Sequence, residues 1–112
     1  MPSPADVVQA QLDAYNARDL ERYLANFSDT VKSYRMPSLT PALDGKAQLG
    51  AFYAAERFNR PGLRAELLHR TVLGNQVFDH ERIFGIGDAP YEIVAVFEVK
   101  DGLIETLWGY SA

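Results

Sequence analysis

Residues 64–85 read RAELLHRTVLGNQVFDHERIFG. Apolar residues at 65, 67, 68, 72, 73, 77, 78, 83 and 84 surround His69, Arg70, Asp79, His80, Glu81 and Arg82, the densest polar cluster of the chain. The Gly74-Asn75 dipeptide suits a two-residue primed turn because both residues tolerate positive φ, so the segment is expected to be a β-hairpin. Counting outward from that turn, Leu73 faces Gln76, Val72 faces Val77, Thr71 faces Phe78, Arg70 faces Asp79, His69 faces His80 and Leu68 faces Glu81. Opposed residues share a face and neighbours along a strand alternate. One face then carries Glu66, Leu68, Arg70, Val72, Val77, Asp79, Glu81 and Ile83. The other carries Ala65, Leu67, His69, Thr71, Leu73, Gln76, Phe78, His80, Arg82 and Phe84. Acids and Arg70 separate from the two histidines, and a one-residue slip would exchange them.

A chain of 112 residues is expected to form a single domain over 1–112, long enough to bury one core. A net charge of −4 with no basic stripe argues against nucleic acid as a partner. No apolar run approaches membrane-spanning length and no signal sequence is evident, so a cytoplasmic protein that avoids membranes is expected. Without cysteine there are no disulfides, thiolate metal sites or cysteine nucleophiles.

Ser3-Pro4-Ala5-Asp6 is a helix start, with Ser3 as N-cap, Pro4 at the first helical position and Asp6 at the positive end of the dipole. Val7, Val8, Gln11, Leu12 and Tyr15 then share a face, and Asn16-Ala17-Arg18 breaks the helix. Asp19 caps a second short helix with Leu20, Tyr23, Leu24 and Phe27 as its apolar stripe. Ser28-Asp29-Thr30 reads as a turn, Val31 to Met36 as a strand, and Pro37 to Asp44 as a loop. Leu49, Phe52, Tyr53 and Phe58 line one side of a third helix over 45–58. Beyond the hairpin, strands over 91–100 and 103–110 flank an Asp101-Gly102 turn. Pairing from that turn groups Val99/Ile104, Phe97/Thr106, Ala95/Trp108 and Ile93/Tyr110 on one face, with Val94, Val96, Glu98, Glu105 and Leu107 on the other. Helices followed by strands make an α+β protein. Helices cover only one of two apolar sheet faces, so a second subunit is expected on the outer one, as a homodimer.

Val7-Val8-Gln9, Asn16-Ala17-Arg18-Asp19-Leu20, Phe27-Ser28-Asp29, Leu43-Asp44-Gly45-Lys46, Phe52-Tyr53 and Lys100-Asp101-Gly102-Leu103-Ile104, in that order and spacing, resemble the nuclear transport factor 2-like superfamily, which includes SnoaL-like and ketosteroid-isomerase-like proteins. The resemblance implies a cystatin-like α+β roll: a cone-shaped, curved antiparallel sheet wrapped around three N-terminal helices, with a central cavity. It also implies a small apolar molecule in that cavity and a homodimer through the outer face. The isomerase residues do not carry over. The oxyanion tyrosine falls on Gln11, one turn before Tyr15, the base aspartate falls at Arg35, and the second acid falls near Ala95. By the same resemblance Arg70, Asp79, Glu81, Ile83, Ala95, Phe97, Trp108 and Tyr110 point to the cavity.

Glu81 is the sharpest catalytic candidate, because desolvation raises a carboxyl pKa into the range useful for proton transfer. Asp79 and Tyr15 join it, although Asp79 opposite Arg70 reads more readily as a cross-strand ion pair than as a catalytic partner. Tyr53, Phe52, Arg70, Arg35, Phe97, Trp108 and Tyr110 are the expected substrate-binding residues. His69 and His80 lack a third ligand, so neither a metal nor an organic cofactor is expected. The expected function is small-molecule binding, with a cofactor-independent isomerase, cyclase or hydrolase acting on an apolar carbonyl or epoxide compound. The alternative is a non-catalytic ligand-binding or dimerisation module.

Overall fold

In the computed structural model, which describes residues 2–112, the first helix (α1, Pro4–Ala17) begins in a capping box. Ser3 Oγ accepts from the Asp6 backbone N–H, and the Asp6 carboxylate accepts from the Ser3 N–H. Arg18 in the left-handed conformation ends the helix at φ 52°. Asp19 then caps α2 (Leu20–Leu24) by accepting from the Arg22 N–H. The second helix stops earlier than expected. Asn26 donates to the carbonyls of Arg22 and Tyr23, and its own carbonyl accepts from Ile104. Phe27 therefore begins a strand, β1 (Phe27–Arg35), where it is still fully buried. The anticipated turn at Ser28-Asp29-Thr30 lies inside that strand. Leu43-Asp44 in the anticipated loop forms a short strand, β2, followed by α3 (Lys46–Glu56). No described helix is long and apolar enough to cross a membrane.

Four longer strands follow: β3 (Arg64–Leu73), β4 (Gln76–Phe84), β5 (Tyr91–Lys100) and β6 (Leu103–Ser111). They make one curved, unclosed sheet in the order β2-β1-β6-β5-β4-β3. The sheet is mixed rather than wholly antiparallel, because β1 lies parallel to β6. Gly74-Asn75 is a two-residue loop with Gly74 at φ 61°. At the other hairpin Asp101 and Gly102 both take positive φ, as a type I′ turn demands.

The pairing expected around Gly74-Asn75 holds from Leu73/Gln76 to His69/His80. Then Leu68 bulges out and Leu67, not Leu68, faces Glu81. The bulge reverses the faces of the strand before it: Ala65 becomes buried, while Glu66 lies opposite Arg82 and pairs with it at 3.2 Å. A second bulge at Glu105 does the same to the last strand. Past Val99/Ile104 the register shifts, so Phe97 faces Leu107, Ala95 faces Gly109 and Val96 faces Trp108. Leu107, expected outside, is thereby buried, and Trp108, expected inside, goes to the outer face. Thr30 Oγ1 donates to the Glu105 carboxylate at 2.8 Å, which holds the bulged acid on the far side of the sheet from the core.

Two polar clamps seat α1 on this sheet. The Asn16 carboxamide bonds both backbone groups of Ala65, accepting from its N–H at 2.8 Å and donating to its carbonyl at 3.0 Å. Arg70 donates from Nε and Nη2 to the two oxygens of Asp79 at 2.7 and 2.9 Å, and from Nη1 to Gln9 of α1 at 3.0 Å. Val7, Val8, Leu12 and Tyr15 of α1 pack with Tyr23, Phe27 and Leu49 against Val77, Ile83, Phe97 and Val99. Asp79 is fully buried, so removing its partner leaves an uncompensated charge in the core. Arg70→Ala is expected to lower unfolding stability by about 3–5 kcal/mol in urea denaturation.

Candidate functional site

Three small residues on the inner sheet face, Ala65, Ala95 and Gly109, leave room beneath α1, and a pocket of about 390 Å³ occupies the space. Its wall is drawn from one face of α1, the last turns of α3, the C-terminal ends of β1, β4 and β6, and the start of β5. Apolar rings dominate the interior. Tyr15, Tyr23, Tyr53 and Phe58 form a cluster with ring centroids 4.9–6.3 Å apart, and Phe52 stands edge-on to Tyr53 at 5.3 Å.

Of the residues singled out in the sequence, Glu81, Tyr15, Tyr53, Phe52, Arg35, Phe97 and Tyr110 line this pocket. Tyr110 does so from the rim; its strand position is beside Val94, on the outer row. Asp79, Arg70 and Trp108 do not line it. Asp79 has both oxygens bound by Arg70, and Trp108 stacks on Tyr34 at 6.5 Å across the outer face. The outer face also carries His69 and His80. His69 meets Thr71 at 3.1 Å and His80 meets Glu92 at 2.6 Å. Gln11, Arg57, Tyr91 and Leu107 were not among the candidates and line the pocket. The sequence signal for Gln11 was its place one helical turn before Tyr15. Arg57 lies 4.9 Å over the Phe52 ring at the end of α3, a tertiary placement without a local signature.

Glu81 and Asp79 sit two residues apart on one face of β4 and differ in environment. Glu81 is buried, makes no ion pair among the described residues, and is the one carboxyl group of the pocket wall. Burial raises its pKa from 4.5 to about 8; the negative charge of Asp79 pushes the same way, and Arg70 opposes both. At neutral pH Glu81 is therefore mainly a carboxylic acid and a hydrogen-bond donor. Burial also raises the Tyr15, Tyr23 and Tyr53 hydroxyls above the ordinary phenol range. All three stay protonated, so the pocket offers neutral donors set in apolar walls.

The SnoaL-like domain model matches residues 8–106. The chain belongs to the SnoaL-like domain family. Among curated proteins none matches it. Solved structures share its fold at low identity. A cystatin-fold protein from Novosphingobium aromaticivorans is 21% identical, with 97% of this chain and 98% of that one covered and a TM-score of 0.87. An epoxide hydrolase of LEH-like type from M. tuberculosis is 18% identical, with 97% and 82% covered and a TM-score of 0.78. A computationally designed 17-OHP binder is 21% identical, with 99% and 93% covered and a TM-score of 0.83. At these identities the likeness is one of fold, which an epoxide hydrolase and a designed binder both share.

The raised pKa of Glu81 has a consequence for stability in this SnoaL-like protein. Between pH 4.5 and about 8 the folded chain holds a proton there that the unfolded chain has released. The stabilisation from this group is thus fully present below pH 4.5 and is lost as pH rises through about 8. Glu81→Gln removes the titration, so its denaturation midpoint, compared with wild type at pH 5, 7 and 9, is expected to gain steadily with pH.

Proposed function

We propose that this SnoaL-like protein binds a small, mostly apolar carbonyl compound or epoxide and performs acid/base chemistry on it with its own side chains. The observation that carries this reading is Glu81: a buried, unpaired carboxyl group in the wall of an apolar pocket of about 390 Å³. Perturbed carboxyls of this kind are enriched at reaction sites, and the volume suits a small ligand. Protonated Glu81 gives its proton to the ligand oxygen. The carboxylate so formed takes a proton from the acidified carbon of a ketone, or from the water that opens an epoxide, and the acid is restored. Tyr15 is the second donor to the oxygen as charge develops there. Tyr53, Phe52 and Phe97 hold the apolar body, and Arg35 at the exposed end of β1 meets an anionic substituent.

Turnover is expected with a panel of enolisable cyclic ketones and epoxides, falling as pH rises through about 8 because the protonated form starts the reaction. Glu81→Gln should lower the rate by about 10²–10⁴-fold while binding is retained. Full activity in that variant would remove Glu81 from the mechanism.

One observation favours a second reading, a non-catalytic binding module. Asp79 and Arg70 are committed to each other, so the pocket wall has one carboxyl group and no dyad. Binding of the panel without turnover of any member supports that reading.

We also propose that the outer sheet face pairs with a second copy of the chain. Tyr34, Trp108, Val96 and Phe78 form a continuous row across four strands, with Val94 beside it. Aromatic and branched side chains in such a row suit an interface between subunits. Sedimentation at micromolar concentration is expected to give a dimer, and Val94→Glu a monomer.

A further inference from the structure

Gln11 is a buried polar group of the pocket that neither the fold nor the proposed proton transfer uses. It lies on α1 at the pocket wall, only 5% exposed, and its Oε1 has no hydrogen-bond partner. It is the one buried side-chain oxygen or nitrogen among the described residues left in that state. Buried polar groups are satisfied almost without exception, so an orphan requires an explanation. A packing role does not supply one: the neighbouring face positions are Val7, Val8, Leu12 and Tyr15, and an apolar residue of similar length would fill the same space without the loss. The helix carrying Gln11 is held rigidly by Asn16 on Ala65 and by Gln9 on Arg70. The scaffold therefore fixes where the carboxamide stands on the pocket wall.

We propose that Gln11 is the polar anchor of the pocket, accepting a hydrogen bond from a hydroxyl group on an otherwise apolar ligand. This rests on the pocket being a ligand site, and it narrows the ligand class to hydroxylated compounds. Gln11 Oε1 accepts a hydrogen bond from the ligand hydroxyl. The apolar walls provide affinity, while the anchor provides discrimination. A site built to bond a hydroxyl rejects the analogue that lacks it, because the site's own polar group then stays unpaired.

The test uses two rigid probes of equal shape, 1-adamantanol and 1-methyladamantane, titrated calorimetrically into the wild-type protein and Gln11→Met at pH 6.5. Wild type should prefer the alcohol by about tenfold, the worth of one buried hydrogen bond. Gln11→Met, matched in length but unable to bond, should reverse that preference, because the alcohol then buries a hydroxyl with no partner. Without ligand, Gln11→Met should also melt at a higher temperature than wild type, since it removes a buried unsatisfied acceptor; a structural hydrogen bond at Gln11 would lower it. Equal binding of both probes by wild type, or a preference that survives Gln11→Met, overturns the anchor and leaves the ligand site standing. A fall in melting temperature on Gln11→Met likewise overturns the anchor. If neither probe binds wild type, the ligand site itself fails, and the anchor with it.

Discussion

The bidentate pair between Arg70 and Asp79 governs both the shape and the electrostatics of this protein. It spans β3 and β4 at the level where the inner face turns from solid core to pocket, and its third arm reaches Gln9 of α1. Because Asp79 is fully buried, the pair is justified less by net stability than by the cost of breaking it. That cost keeps the two strands in register and the first helix at a set height above the sheet. The Asn16 clamp on Ala65 supplies the second fixed point, so α1 has little freedom to rotate and its Gln11 and Tyr15 face the pocket.

The same pair decides which carboxyl group is available for chemistry. Asp79 and Glu81 share a strand face, and both would be costly to bury as lone anions. Arg70 commits its guanidinium to Asp79, and the Asp79 charge adds to the burial that raises the Glu81 pKa. Two neighbouring acids thus acquire different states from their surroundings alone, one held in an ion pair and one a neutral acid in the pocket wall, in the manner by which environments separate paired carboxyls. Arg70 lies outside the pocket wall, with each of its three nitrogens bonded to Asp79 or Gln9.

The pocket itself is a result of small residues and bulges. Ala65, Ala95 and Gly109 are brought to the inner face by register, and Ala65 and Gly109 arrive there only because the chain bulges at Leu68 and Glu105. Unbulged strands would aim Glu66, Trp108 and Tyr110 inward and close the space with two large rings and a second acid. Neither bulged residue joins the core: Leu68 is exposed and Glu105 is bonded to Thr30. The bend that a bulge gives a strand also accounts for a sheet that curves around α1 without closing.

Local chemistry was sufficient to specify the helix starts and the turns. Ser3-Pro4-Ala5-Asp6 and Asp19 have one favourable use at a helix N-terminus, and Gly74-Asn75 and Asp101-Gly102 have one favourable use between strands. The pairings next to each turn follow by counting, which is how Arg70 opposite Asp79, and Glu81 on the same face as Asp79, could be read from sequence. The match to the SnoaL-like family over residues 8–106 agrees with the order of those motifs. Bulges have no such signature: an extra residue is tolerated wherever tertiary contacts repay the lost ladder bond, so the inward turn of Ala65 and Leu107 and the outward turn of Trp108 were decided only by packing. The parallel joining of β1 to β6 and the orphan carboxamide of Gln11 are of the same kind. Each depends on contacts between segments far apart in the chain, and no local preference encodes them.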